Sequence, residues 1–373
     1  MYAVDAHTGA QIWKANVDPH LAARITAAPV LNAGVLYVPV SSSEEGIALQ
    51  PSYECCTFRG SVAALDAATG RKLWQTYTIA EVPRPLTKNA AGTQLWGPAG
   101  GAVWGTPLVD PNGGALYIAT GDAYVSPAPA NTDAVVALDL RTGLVLWSMQ
   151  DLPHDAWNVS CLIGNNENCP ASAGPDYDFG AATILRTLPN GKRVLLAAQK
   201  SGIVWAHDPD NHGAVLWKTD VTRKKPDPPG EIVWGGAADE QKVYYGLTSG
   251  GVVALDIATG EKKWLSRFNE SGPHSGSPGA VTVIPGIVFS GSFDGILRAL
   301  AAENGQVLWQ YDTKGEIHTE NGVKASGGSL GAPGPMVNNG MLYVESGYIG
   351  VINGKSGNLL LAFWNPSTQD AQP

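Results

Sequence analysis

One short motif recurs along this chain and limits what it can fold into. It reads YAVDAHTGAQIW (2–13), AALDAATGRKLW (63–74), VALDLRTGLVLW (136–147) and VALDIATGEKKW (253–264). Weaker copies are WAHDPDNHGAVLW (205–217), with one extra residue, RALAAENGQVLW (298–309), and GVINGKSGNLLL (350–361), which has lost its Trp. The Asp positions (5, 66, 139, 208 and 256, with Ala301 and Asn353 standing in) are spaced by 61, 73, 69, 48, 45 and 52 residues. Self-similarity on this scale marks a repeat architecture. Each copy has its own physical logic. An alternating apolar strand ends at Asp, whose carboxylate can accept from the amides of a four-residue turn, and Gly supplies a positive φ before the next strand. Trp, four residues after Gly, is large enough to wedge between neighbouring sheets. Further strand patterns lie between the copies: GVLYVPV (34–40), ALYIAT (115–120), VYYGL (243–247), GIVFSGS (286–292) and GMLYVES (340–346). The shorter intervals equal one four-stranded sheet, and the longer ones leave room for functional loops. Helical periodicity is nearly absent. Repeated sheets must hide their edges, and closing them into a ring does so. The expected fold class is all-β, a β-propeller.

Composition excludes several functions. With 45 Gly, 26 Pro and 12 Trp among 373 residues and 15% charged side chains, the chain is turn-rich and tightly packed. A net charge of −9 argues against nucleic acid as a partner. No run of 18 apolar residues predicts a membrane span. There is no C-x-x-C pair and no H-x-x-x-H, so neither a zinc site nor an attached c-type haem is expected in this chain. Its four cysteines form two short-range pairs, Cys55 with Cys56 and Cys161 with Cys169, which suits an oxidising compartment. The adjacent pair is geometrically awkward. Neighbouring Cα atoms lie about 3.8 Å apart, whereas a relaxed disulfide prefers roughly 4.4–6.8 Å. Two buried thiols and a strained ring are both open on these grounds. The chain begins inside a repeat, so Met1 reads as a truncation or an internal start.

The motif A-x-D-x-x-T-G-x-x-x-W, together with CCTFRGSVAALDAATG (55–70), ATGDAYVSP (119–127), PHDAWN (153–158) and NGVKASGGSL (321–330), resembles the quinoprotein alcohol dehydrogenases that use pyrroloquinoline quinone (PQQ). The resemblance covers essentially the whole chain and is greatest to the polyvinyl alcohol dehydrogenase branch. It implies one PQQ-type propeller domain over 1–373, from a ring of eight blades whose N-terminal part is missing. About seven blades are represented, the first incomplete. No haem c domain is expected in the chain.

The same resemblance implies a set of site residues. VPVSSSEEG (38–46) makes Glu45 a ligand of Ca²⁺, with Glu44 as its rival, and ATGDAY offers Asp122; carboxylates suit a hard cation with many oxygen ligands. Glu44 and Glu45 as a solvated loop pair is the bland alternative. The family's proton-accepting Asp ends H-D-x-W-D, but PHDAWN ends here in Asn158, which cannot be a base. If an insertion splits the motif, Asp176 in GPDYDFGAATIL (174–185) takes that place, with Asp155 and Asp178 as runners-up. Asp176 as a simple turn cap is the competing reading. Lys200, in QKSGIVWAHD (199–208), would clamp the quinone oxygens, where its charge stabilises the reduced cofactor. Thr26 in ITAAP, Trp104 in GGAVWGTP and, less strongly, Trp234 in IVWGGA would contact the cofactor. In this family a ring of two bonded adjacent cysteines stacks on the quinone opposite a Trp. Cys55–Cys56 would then be the lid and Trp104 the floor, with Arg59 on a cofactor carboxylate. DPDNHG (208–213) begins like a Ca²⁺ loop but lacks the Glu at its twelfth position and reads as a lengthened hairpin.

The implied function is a periplasmic, PQQ- and Ca²⁺-dependent dehydrogenase that oxidises secondary hydroxyls of polyvinyl alcohol or related alcohols to ketones. A cytochrome c would be the acceptor, with haem c on a missing domain or a partner. The competing functions are a cofactor-free propeller that binds or scaffolds, like the outer-membrane assembly lipoprotein sharing this repeat, and a quinoprotein sugar dehydrogenase.

Overall fold

The computed structural model describes residues 1–163, 167–222, 230–268, 276–348 and 354–364. Asn353, expected to stand in for the repeat Asp of the last copy, lies outside them. Among the described residues the backbone is a series of antiparallel meanders. A hairpin of Tyr2–Val4 and Gln11–Lys14 comes first, then a sheet of Ala23–Arg24, Val30–Asn32, Val35–Ser42, Ser61–Asp66 and Lys72–Tyr77. Four sheets follow, each of four strands in sequence order. They are Leu108–Asp110, Ala115–Ala119, Ala134–Asp139 and Val145–Gln150; Ile184–Thr187, Arg193–Ala198, Ile203–Asp208 and Ala214–Asp220; Gly236–Ala238, Lys242–Gly246, Val252–Asp256 and Lys262–Ser266; and Thr282–Ile284, Ile287–Gly291, Ile296–Ala301 and Val307–Asp312. Met336–Asn338, Met341–Ser346 and Leu359–Trp364 form a last sheet. Two further hairpins, Arg84–Lys88 with Gln94–Gly97 and Gly315–His318 with Lys324–Gly327, stand outside this series. Two compact units result, one of 1–185 with 207–215 and the other of 186–206 with 216–373.

The repeat motif builds the hairpin between the last two strands of each complete sheet. Its Ala faces its own Trp across the ladder, as Ala64 faces Trp74, Ala137 faces Trp147, Ala254 faces Trp264 and Ala299 faces Trp309. The register shifts immediately after that Ala in all four, a bulge that turns the chain into the Asp, or into Ala301 in the last. The expected turn chemistry is present. Asp66 Oδ1 accepts from the Thr69 amide at 2.9 Å and hydroxyl at 2.8 Å, and Asp139 Oδ1 accepts from the Thr142 amide at 2.7 Å and hydroxyl at 2.6 Å. The same bonds recur at Asp5 and Asp256. These bonds, those from the Thr hydroxyl foremost, hold the Asp5, Asp66 and Asp139 carboxyls below their ordinary range.

The strand that ends at Asp is not alternating. Ala134–Leu138 and Val252–Leu255 are buried at every position, because this strand is covered on both faces. A doubly covered strand selects a continuous apolar run, so period 2 appears only where one face meets water.

The Trp joins consecutive repeats through the Gly of the next one. Trp13 lies on Gly70, Trp74 on Gly143, Trp147 on Gly213, Trp217 on Gly260 and Trp264 on Gly305, so closely that a Cβ at any of these glycines would sit 2.5–2.6 Å from an indole carbon. Indole N–H groups of Trp13, Trp217 and Trp264 donate at 3.0–3.1 Å to the carbonyls of Ala67, Ile257 and Ala302, each in the next repeat's turn. Every one of these glycines also has φ between +72° and +75°. Glycine is thus required twice, for backbone handedness and for room.

These two requirements separate by mutation. Gly143→Ala meets both, whereas Gly114→Ala, at φ +65° with nothing within 4 Å, meets only the first. Gly114→Ala should cost about 1–2 kcal/mol, and Gly143→Ala a further ~1–3 kcal/mol from overpacking, measured by equilibrium denaturation. Equal losses would refute the indole-on-glycine joint. The turn carboxylates give a second test. Their lowered folded pKa means that their stabilisation is complete above about 3.8 and is lost as pH falls below it. An Asp66→Asn, Asp139→Asn double variant, unable to be neutralised, should lose stability less steeply than the parent between about pH 4 and pH 2.

Candidate active site

In the first unit four strips of backbone lie side by side: Arg59 bridges Gly100, Gly100 bridges Ala123, and Ala123 bridges Ala156. Amides stitch them together. Gly100 N donates to Phe58 O at 2.9 Å, Gly101 N to Asp122 O at 2.7 Å, and Trp157 N to Ala123 O at 2.7 Å. At Gly100 (φ +110°) a Cβ would lie 2.5 Å from Asp122 O, so only glycine lets the second and third strips approach. These strips bring CCTFRG, GGAVW, GDAY and PHDAWN to one place.

A carboxylate cluster sits at the third strip. One oxygen each of Asp122, Asp176 and Asp178 lie within 4.8 Å of one another. The Asp122 amide donates to Asp178 Oδ1 at 2.8 Å. Asp155, buried, accepts from the Asp176 amide at 3.3 Å and the Tyr177 amide at 2.9 Å, and Gly174 N donates to Ala156 O at 2.9 Å. PHDAWN and GPDYD are therefore joined again beyond the residues that separate them in sequence, and Asp176 (φ +61°) takes a left-handed conformation there. Burial first, then the negative charges of Asp178, Glu45, Asp176 and Asp133, push the Asp122 carboxyl well above its usual range. Asp122 Oδ2 is buried with no hydrogen-bond partner among the described residues. Tyr124, also buried, is pushed up by burial and by the charges of Glu45, Asp122, Asp178 and Glu44.

The two glutamates of the short helix Glu44–Ile47 differ sharply. Glu44 is fully buried and saturated: it accepts from Tyr53 Oη at 2.7 Å and from the Thr57 and Phe58 amides at 2.8 Å each. It clamps the loop that carries Cys55 and Cys56. Glu45 is half-buried, and its charge is felt at Asp122 and Tyr124. Neither is a solvated loop pair. Cys55 and Cys56 are bonded to each other across a cis peptide and fully buried. They share one apolar cluster with Phe58, Ala99, Ala102, Tyr124 and Val125, and Trp104 packs against it. The Trp104 indole lies over Gly180, where a Cβ would be 2.0 Å from the ring.

The other expected site residues have the following surroundings. Arg59 Nη1 donates to Ile79 O and Ala80 O at 3.1 Å each, and its guanidinium lies 4.0 Å from the centre of the Tyr77 ring. Thr26 is exposed, between Ala23–Arg24 and Val30–Asn32. Lys200 and Trp234 belong to the second unit. Lys200 is buried, its carbonyl accepting from the Glu231 amide at 2.7 Å, and Trp234 is half-buried. Asp133, buried and part of the field on Asp122, had no motif to reveal it. Asp178 was expected only as a runner-up for the base, and the structure sets it beside Asp122.

The donor set is all carboxylate, crowded, and includes a buried oxygen, Asp122 Oδ2, with no hydrogen-bond partner among the described residues. Such a set fits a hard cation with oxygen ligands. The sulfur pair lies within one apolar cluster and the Trp104 indole packs against it; sulfur and indole are the chemistry that suits a flat aromatic group.

The glucose/ethanol/alcohol dehydrogenase β-propeller family model matches residues 45–161. The model described as outer membrane protein assembly factor BamB matches residues 1–87 and 200–362. The chain is 41% identical to a polyvinylalcohol dehydrogenase of Sphingopyxis sp. (strain 113P3) over 97% of its own length and 59% of that protein. It is 39% identical to one from Pseudomonas sp. over 97% of its length and 60% of that protein. It thus spans about six-tenths of these relatives. Among solved structures, the quinohemoprotein alcohol dehydrogenase of Comamonas testosteroni superposes with a TM-score of 0.68 at 18% identity, covering 97% of this chain and 63% of that one. BamB of Moraxella catarrhalis gives 0.54, also at 18% identity, covering 92% of this chain and 75% of that one. The chain has the quinoprotein type of β-propeller fold and belongs to the PQQ-dependent quinoprotein alcohol dehydrogenase family.

Proposed function

We propose that this chain is the catalytic propeller of a PQQ- and calcium-dependent alcohol dehydrogenase. It oxidises secondary hydroxyls, those of polyvinyl alcohol or related alcohols, to ketones. The observation that carries this reading is the Asp122–Asp176–Asp178 cluster with its unpartnered buried oxygen, set in the strips that also carry Cys55–Cys56 and Trp104. Asp122, Glu45 and Asp178 would hold the cation. Cys55–Cys56 and Trp104 would bracket the cofactor ring. When bound, PQQ supplies the two-electron oxidant and the cation polarises its reactive carbonyl. The chain's part is to orient the alcohol and move its proton. Asp176 accepts the hydroxyl proton as the carbinol carbon gives up hydride, leaving a ketone. Asp155, holding the amides of 176 and 177, keeps that carboxylate in place. Lys200, Trp234 and Thr26 are assigned to cofactor contact on family resemblance, and Arg59 is assigned to supporting the loop at 79–80 as well.

The two polyvinylalcohol dehydrogenase relatives support the substrate class, and the repeats continuing through both compact units support one PQQ-type propeller domain over 1–373. The electron acceptor is a cytochrome c, with haem c on another domain or a partner, and the location is the periplasm. A relative titled lupanine 17-hydroxylase [cytochrome c] and the disulfides Cys55–Cys56 and Cys161–Cys169 support these two points. The match to the assembly-factor model favours a second reading, a cofactor-free scaffold on the same repeats.

Reconstitution separates the two. With PQQ and Ca²⁺, dye reduction should proceed with polyvinyl alcohol and a short secondary alcohol and be weaker with glucose; silence with all three would leave the scaffold. Calcium at 100 times its Kd should stabilise the protein by about 2.7 kcal/mol, and Asp122→Asn should remove most of that gain. Asp176→Asn should lower kcat by about 10²–10⁴ while PQQ still binds, as read from its absorbance. Full activity in Asp176→Asn would transfer the base to Asp155 or Asp178.

A further inference from the structure

We propose that Asn168 is a positioning residue for the carboxylate centre, locking the Glu44–Ile47 helix to the Asp122 strip. The inference rests on reading that centre as a cation site.

The sequence offers PHDAWN and CLIGNNENC as a broken catalytic motif followed by a polar loop, with no reason for the asparagines. The structure supplies one. Asn158 is fully buried, and its Nδ2 donates to Tyr124 O at 3.0 Å and to Asn168 O at 2.9 Å. Its Oδ1 accepts from the Ser160 amide at 3.0 Å and caps the short helix Val159–Leu162 that contains Cys161. Asn168 is 2% exposed. Its Nδ2 donates to Ala48 O at 3.0 Å and Gln50 O at 2.8 Å, and its Oδ1 accepts from Asn89 Nδ2 at 2.9 Å. Asn89 Nδ2 also donates to Pro51 O at 2.9 Å. Cys169, the next residue, is bonded to Cys161.

These bonds form one chain of contacts. It runs from the carbonyl two residues after Asp122, through Asn158 and Asn168, to carbonyls three and five residues after Glu45. A helix of four residues cannot hold its own conformation in water. Its carbonyls at Glu44, Gly46 and Ile47 accept from the amides of Ala48, Leu49 and Gln50, and Asn168 holds the turn that follows through the carbonyls of Ala48 and Gln50. The need is electrostatic as well. Glu45, Asp176, Asp178 and Asp133 all repel a charge on Asp122, so left to themselves these groups would spread apart. Groups outside the cluster must hold it closed. Asn168 spans two of its segments, and the Cys161–Cys169 bond fixes Asn168 to the helix that Asn158 caps.

The test uses Asn168→Ala, Asn168→Asp and the Cys161→Ser, Cys169→Ser double variant, each compared with the parent. Asn168→Asp keeps the acceptor for Asn89 and loses the two donors to Ala48 and Gln50. Terbium(III) luminescence reads cation affinity, hydrogen exchange by mass spectrometry reads protection of 44–58, and thermal unfolding reads stability. Asn168→Ala and Asn168→Asp should each weaken terbium binding by about tenfold or more and speed exchange in 44–58, with exchange in Val252–Asp256 unchanged. The double cysteine variant should move both readouts the same way. A fall in melting temperature with terbium affinity unchanged would show a structural bond only and overturn the proposal, as would unchanged protection of 44–58. If the parent binds no terbium, the cation reading fails instead, and unchanged protection of 44–58 in Asn168→Ala then overturns the lock on its own.

Discussion

The joint on which this molecule depends is an indole laid flat on a glycine of the next repeat. Five times, from Trp13 on Gly70 to Trp264 on Gly305, a ring occupies the space where any other residue would carry a side chain. Glycine is also the residue that turns the chain at that point, so one residue type answers two demands. The indole N–H reaches a carbonyl in the same turn at Trp13, Trp217 and Trp264, which fixes its direction as well as its depth. At Gly70, Gly143 and Gly260 the aspartate four residues earlier holds the turn that presents the glycine. Sheet-to-sheet packing therefore rests on local turn geometry, and local turn geometry is preserved by four or five residues that recur.

A scaffold held this way can carry loops whose own energetics are unfavourable. The strips at 59, 100, 123 and 156 are bridged to one another through backbone amides, and buried side chains outside the cluster, Asn158 among them, tie them further. That frees Asp122, Asp176 and Asp178 to stand close despite mutual repulsion. It also explains the contrast between neighbouring glutamates. Glu44 faces inward, meets three donors and becomes structural, whereas Glu45 keeps its charge directed at the cluster. One residue of register separates a loop clamp from a candidate ligand.

Family comparison and geometry divide the question in a consistent way. Family models of a dehydrogenase propeller and of an assembly factor both match this chain, the first over 45–161 and the second over 1–87 and 200–362. What distinguishes the dehydrogenase reading lies between the turns, in the long intervals of 61, 73 and 69 residues that contain the cysteine pair, the carboxylates and the disulfide-closed segment. Function here is a property of the connections, and the repeat is what makes them affordable.

The all-β repeat fold was legible because each turn is a local problem: Asp, Thr, Gly and Trp at set spacing determine a hairpin and its neighbour without reference to the rest of the chain. Asp122 and Trp104 were expected from resemblance to the family, Trp104 also because Gly100 and Gly101 before it let a flat group approach the backbone. Alternation in the strands that end at Asp was expected and is absent, because burial on both faces depends on what covers a strand, which no window of sequence contains. Likewise only the tertiary structure brought Asp176 back to Asp122 across the Cys161–Cys169 segment, turned Arg59 onto the carbonyls of Ile79 and Ala80, and gave Asn158 and Asn168 partners more than 30 and 110 residues away. The sequence alone determined the interactions that close within a dozen residues. Those between residues far apart in the chain were decided by folding, because a carboxylate or an amide acquires its role from the charges and carbonyls that packing places around it.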